Sequence, residues 1–246
     1  MAVFDLNADV GEGVANDAAL LAVVTSANVA CGGHAGDPAT MRATLRTAQR
    51  YGVVVGAHPG WADRAHFGRA RQQLPADGVV ATLDAQIAAL RAIAAELGTP
   101  VRYVKLHGAL ANQAAEDPAL AATVAQVLAA SGLGWLVMAQ TAMQQAATTA
   151  RIPHYCEAFA DRTYTPQGLL TPREQPGAVL HDAAAIADRA LAMLSRQALP
   201  LADGRWLPAA VDSLCVHGDT PGALDIARTL RQRLTAAGWQ ARALAW

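Results

Sequence analysis

Four of the seven histidines fall in polar clusters that each follow an apolar run: His34, His58, His107 and His217. The six clusters of this kind are Asp5–Glu12, Ser26–Asp37, Gly56–Asp63, Val101–Asn112, Glu157–Tyr164 and Cys215–Thr220. Neutral imidazoles and carboxylates are ordinary ligands of zinc or of a harder divalent ion. Asp9, His34 and His58 follow the first three apolar runs and make a candidate three-ligand metal site with a position left for water. The chain has no HExxH or CxxC spacing, so metal-free acid–base chemistry by histidine and aspartate stands beside that reading.

The cations are unevenly chosen. Among 19 basic residues there is one lysine, Lys105. A lysine kept where arginine is otherwise the rule points to a place that wants a compact, titratable ammonium. Chance survival is the bland alternative. Lys105 and His107 lie two apart on an expected strand, so both face the same side, which must be the interior if both are functional. Arg162 with Arg173 can clamp a carboxylate through parallel hydrogen bonds. Surface ion pairs with Asp161 or Glu174 are the competing reading. Gly32, Gly33 and Gly36 around His34 allow backbone amides close to a ligand. Cys31 beside them is more simply a small buried residue than a nucleophile, and the same holds for Cys215. No GxxxxGK[ST] loop is present, and no GxGxxG follows a strand.

The elements that must position these residues alternate in type. Short apolar runs are expected as strands over Val3–Asp9, Val23–Ala30, Val53–His58, Val101–His107, Trp135–Ala139, Tyr155–Phe159, Ala178–Leu180 and Ser213–His217. Helical periodicity covers Pro38–Tyr51, Pro75–Leu97, Pro118–Ala130, Ala142–Ala150, Asp182–Arg196 and Pro221–Ala237. Proline opens several of these segments, and Gly52, Gly98, Gly132 and Gly238 close them. Alternation of this kind implies parallel strands joined by crossover helices. Seven or eight strands favour a closed (β/α) barrel forming one domain over residues 1–246. In such a barrel the strand C-termini share one face, where the six clusters would converge. Thr163–Gln175 reads as a long loop, and long loops in compact domains are often functional.

Composition narrows the classes. The apolar share of 53% and charged share of 16% permit a large core and argue against disorder. A net charge of −1 argues against nucleic acid or an anionic membrane as main partner. No basic-then-apolar leader is seen, and no apolar run is expected to span a bilayer. Three widely spaced cysteines give neither a disulfide framework nor a zinc pattern, so a cytoplasmic location is expected.

Taken together, the motifs resemble the LamB/YcsF family over nearly the whole chain. The carriers are Asp5–Glu12, Ser26-Ala27-Asn28 through Cys31, His34–Asp37, Gly56–Pro59, Lys105 with His107–Leu110, Phe159–Arg162 and Cys215–Thr220. Leu106, Ala111 and Ala70 stand where the family has proline, tyrosine and arginine. The resemblance implies a seven-stranded barrel of the glycoside hydrolase/deacetylase type. It also implies an ATP-dependent cyclic amide hydrolase that opens 5-oxoproline to glutamate together with partner subunits B and C of 5-oxoprolinase. ATP would then be handled mainly by those partners. The catalytic set expected is Asp9, His58, Lys105, His107, Asp161 and His217. Asn7, Glu12, Asn28, His34, Asp37, Arg162 and Arg173 are the expected substrate-binding residues. The alternatives are a stand-alone metal-dependent deacetylase-type hydrolase and a catalytically silent binding subunit.

Overall fold

Alternation of residue character sets the first strand, β1 (Val3–Val10). Phe4, Leu6, Ala8 and Val10 join the hydrophobic core, while Asp5, Asn7 and Asp9 are buried among polar partners. Neighbouring strand side chains point to opposite faces, so one strand serves two environments. The computed structural model describes residues 2–14, 16–218, 220 and 222–246. Asp219 of the last cluster and Pro221 of the last expected helix lie outside them.

After β1 come α1 (Asp17–Leu21), β2 (Ser26–Ala30), α2 (Pro38–Tyr51), β3 (Val54–His58), α3 (Ala76–Glu96) and β4 (Val101–Val104). The chain continues through α4 (Gly108–Glu116), α5 (Pro118–Ser131), β5 (Gly134–Met138), α6 (Ala142–Thr149) and β6 (His154–Phe159). It ends with α7 (Ala183–Arg196), β7 (Ala198–Pro200), β8 (Trp206–Pro208), β9 (Ser213–Val216), α8 (Ala223–Ala236) and β10 (Gln240–Ala241). Strands β1 to β6 pair in parallel and in chain order, then β6 pairs with β9 and β9 with β1. The result is a closed seven-stranded parallel barrel. β10 extends β1 at one edge, and β7 and β8 form a separate antiparallel hairpin.

Local chemistry fixes the helix ends. Asp37, Asp117 and Asp182 accept hydrogen bonds from first-turn amides of α2, α5 and α7. Gly52 and Gly132 end α2 and α5 in the left-handed conformation that glycine adopts without strain.

Four expectations need correction. Ala178–Leu180 is not a barrel strand; Val179 makes one antiparallel bridge to Arg162, and a three-residue apolar run is too short to separate the two cases. The fourth strand ends at Val104, not His107. Even so, the Lys105 amide donates to Ala57 and the His107 amide to Pro59, so both side chains keep the inward register. Helices α1 and α4 and the β7–β8 hairpin lie outside the expected elements. Finally, α3 is long and apolar enough by length and composition to cross a membrane. In the fold, its residues Val79, Leu83, Ile87, Leu90 and Ile93 pack into the core.

Candidate functional site

The barrel interior is polar and hydrogen-bonded rather than greasy. At its lower end, Asp5 accepts from Thr25, Ser26 and Ser213. Above it, Asn28 donates to Asn7 at 2.7 Å and to Asp9 at 2.8 Å, and accepts from the Tyr103 hydroxyl at 2.7 Å. Buried polar groups are costly unless satisfied, so this ladder fixes the rotamers beneath the site.

Lys105 sits at the top of the ladder. Its Nζ is 2.7 Å from Asp9 Oδ1, 3.0 Å from Glu157 Oε1, and donates to Cys215 Sγ at 2.9 Å. Burial opposes its charge, but the negative groups around it outweigh burial and hold its pKa well above the ordinary lysine value. Burial likewise opposes ionisation of Asp9, yet His58 and Lys105 pull its pKa well below the usual carboxylate value. Burial pushes the Cys215 thiol up, so it stays protonated and is a poor nucleophile.

Three histidines form a packed group beside this ion pair. The rings of His34 and His107 stack in parallel at 3.6 Å, and His58 meets both edge-on. His58 Nδ1 lies 2.8 Å from the Lys105 carbonyl, and His107 Nε2 lies 2.9 Å from the Phe67 carbonyl. His58 Nε2 and His107 Nδ1 are 3.0 Å apart. Burial lowers His34 to about 3 and His107 to about 2, keeping both rings neutral. His58 is also buried, but the charge of Asp9, with Oδ2 3.4 Å away, outweighs burial and raises its pKa. Glu12 Oε1 completes the group, 3.0 Å from His34 Nε2 and 3.4 Å from His107 Nδ1. Glycine is required on both sides of the stack. A Cβ on Gly60 would lie 2.9 Å from His34 Nδ1, and one on Gly68 would lie 2.7 Å from the His34 Cβ.

Glu12, His34, His58 and His107 could together hold a metal ion. The expected trio of Asp9, His34 and His58 is thus regrouped. The structure joins its two histidines to Glu12 and His107, and Asp9 Oδ1 faces the Lys105 ammonium instead. Asp9, Cys215 and His217 also cluster. There, however, the ammonium occupies the space between Asp9 and the Cys215 sulfur.

A cavity of about 390 Å³ opens over these groups. Asp9, His58, Lys105, His107, Glu157 and His217 line its floor, and Arg69, Arg71, Arg162 and Arg173 stand on its wall with Glu116, which pairs with Arg71, and Glu174. Asp161 lies beside it, its Oδ2 3.5 Å from His217 Nδ1. Burial opposes ionisation of Asp161, but His217 and Arg162 overcome it and lower its pKa. Arg162 is buried; its Nη2 donates to the Thr171 carbonyl at 2.6 Å, while its Nε has no partner among the described residues. The loop over 163–175 supplies Leu169, Leu170, Thr171, Pro172 and Arg173 to the wall.

Most expected site residues therefore meet at the strand C-termini. Asn7 and Asn28 lie one layer lower, supporting Asp9. His34 lies behind His107. Asp37 stands apart: its carboxylate accepts from the Thr40 amide and caps α2. Glu157 is a site residue that sequence reasoning passes over. The signal is present, since a glutamate inside the apolar strand His154–Phe159 must either be exposed or be paired. Leu106 and Ala111 line the cavity, so two of the three departures from the family pattern fall on its wall.

The LamB/YcsF family model matches residues 4–245. A protein of Mycobacterium avium (strain 104), named as the A subunit of 5-oxoprolinase, is 48% identical over 250 residues, covering 99% of each chain. The crystal structure of the lactam utilization protein from Thermus thermophilus superposes with a TM-score of 0.92 at 37% identity, covering 99% of this chain and 100% of that one. A family 4 carbohydrate esterase from Streptomyces lividans shares the barrel at 14% identity, with a TM-score of 0.56 over 99% of this chain and 93% of that one.

Proposed function

Because the chain belongs to the LamB/YcsF family, we propose that it is the lactam-handling subunit of an ATP-dependent 5-oxoprolinase. The observation that carries this reading is the 48% identity, over 99% of both chains, to a protein named as the A subunit of 5-oxoprolinase. The site geometry supports it. Arg162 offers its unpartnered Nε–H, and Arg173 adds charge at the cavity wall, for the carboxylate of a small lactam acid. A lactam is a stable amide, so its opening needs a directed water and a proton for the leaving nitrogen. The Asp161–His217 pair suits both tasks: His217 takes a proton from water as oxygen adds to the carbonyl carbon. His217 then returns that proton to the ring nitrogen as the C–N bond breaks. Asp161, kept ionised, steadies the charged ring. Lys105 acts through its neighbours, favouring the ionised form of Asp9 and holding Glu157 in place.

The chain carries no recognisable phosphate loop. ATP binding and cleavage are therefore assigned to partner subunits B and C. The test compares 5-oxo-L-proline with 2-pyrrolidinone, which lacks the carboxylate, in the mixture of this chain with those partners. Ring opening of 5-oxo-L-proline alone is expected. Equal rates for both refute the carboxylate clamp, and opening of neither refutes the lactam reading.

A further inference from the structure

Two backbone carbonyls decide what the paired histidines can hold. A carbonyl oxygen only accepts, so His58 Nδ1, facing the Lys105 carbonyl, and His107 Nε2, facing the Phe67 carbonyl, each carry hydrogen. That leaves His58 Nε2 and His107 Nδ1 facing each other at 3.0 Å, free to share a proton or to give their lone pairs to a metal. Two lone pairs at that separation need a positive centre between them, either a proton shared by the rings or a metal ion that takes its place. Glu12 Oε1 is 3.8 Å from the first nitrogen and 3.4 Å from the second. We propose that Glu12, His58 and His107 form a divalent-metal site of zinc-like preference, with its fourth position toward the cavity.

The distances fit. Ligands about 2.0–2.1 Å from a tetrahedral ion sit roughly 3.3–3.4 Å apart. The three separations of 3.0, 3.4 and 3.8 Å bracket that span. The surroundings fit as well, since metal-bound histidines typically donate their other ring N–H to a carbonyl or carboxylate. Here both do. His34 is a supporting residue and not a ligand. Its ring lies parallel to His107 within 2° at 3.6 Å, and in-plane lone pairs of two parallel rings cannot converge on one ion. Its Nε2 instead donates to Glu12 Oε1 at 3.0 Å, orienting the carboxylate. Because His58 and His107 also line the cavity, the fourth position is reachable by water or a carbonyl oxygen. A divalent ion there would supply Lewis acidity toward either. The metal site stands whichever compound the cavity accepts.

The test is metal binding by the full-length chain, stripped with chelator and titrated with zinc chloride by calorimetry. One ion per chain is expected. His58→Gln and His107→Gln should each weaken binding by about 100-fold or more, and His34→Gln by about 10–100-fold through loss of carboxylate orientation. His181→Gln, on an exposed residue, should bind like the wild type. Cobalt(II) added to the wild type should give the ligand-field spectrum of a four- or five-coordinate centre, a readout that needs no variant. An octahedral cobalt spectrum, no stoichiometric zinc binding by the folded wild type, or undiminished binding by a folded His107→Gln variant would each overturn the assignment.

Discussion

Replacing Lys105 separates its charge from its shape. Lys105→Met leaves Asp9 and Glu157 facing each other without their shared cation, both buried. Breaking a buried ion pair by removing one partner costs about 3–5 kcal/mol. For a chain of this size each kcal/mol lowers Tm by roughly 2–4 °C, so a fall of about 6–20 °C is expected. Lys105→Arg keeps the charge but forces a wide planar group between Asn7, Asp9, Glu157 and Cys215. Overpacking of that kind costs about 1–3 kcal/mol. Stability should therefore rank wild type, then arginine, then methionine. Turnover should not follow that rank. A guanidinium cannot hold Asp9 where an ammonium did, so both variants should lose about 100-fold or more in kcat. The assay is thermal unfolding of each variant alongside glutamate release in the mixture with subunits B and C. Turnover of Lys105→Arg within about threefold of wild type would refute the reasoning, as would a Lys105→Met variant as stable as wild type.

Asp161 has a lowered pKa, so its ionised form adds stability that is complete above its ordinary value of 3.8 and fades as pH falls through the folded value. The stability gap between wild type and Asp161→Asn, measured by urea unfolding, should be widest near pH 6 and close in strong acid. Gly68→Ala places a methyl 2.7 Å from the His34 Cβ at a backbone φ of +65°, so it should displace the histidine stack. Glutamate release should fall by about tenfold or more with the circular dichroism of the fold retained. Trp246 stacks on Tyr103 at 4.6 Å and meets Tyr155 edge-on at 4.9 Å. Deleting it should cost about 1–3 kcal/mol in thermal unfolding while turnover per folded molecule is kept.

The barrel is legible because its signals are local. Apolar runs mark the seven barrel strands, and proline, aspartate and glycine mark helix ends such as Asp37 and Gly52. The site's direction is legible too, since clusters after consecutive parallel strands must share one end. What the chain does not disclose is how barrel closure rotates neighbouring groups. Asp9 and His58 follow nearby runs, yet the ammonium of Lys105, 96 positions away, takes Asp9 Oδ1 and leaves only Oδ2 toward His58. Asp37 follows the same glycine-rich turn as His34, but its place at the start of α2 makes it a cap. Helix α4 is hidden because its sequence runs on directly from His107, which reads as strand. Glu157 stands in an apolar strand, and its cationic partner Lys105 is remote in sequence.

The central claim is that this chain opens a lactam only in company with ATP-handling partners. It is tested most directly by measuring glutamate and ADP from 5-oxo-L-proline and ATP for three samples: the chain alone, subunits B and C alone, and the mixture. The account predicts no 5-oxoproline-dependent ATP hydrolysis by the chain alone, and glutamate and ADP rising together only in the mixture. Glutamate formed by the chain alone at the rate of the mixture, or no glutamate from any sample, would contradict it.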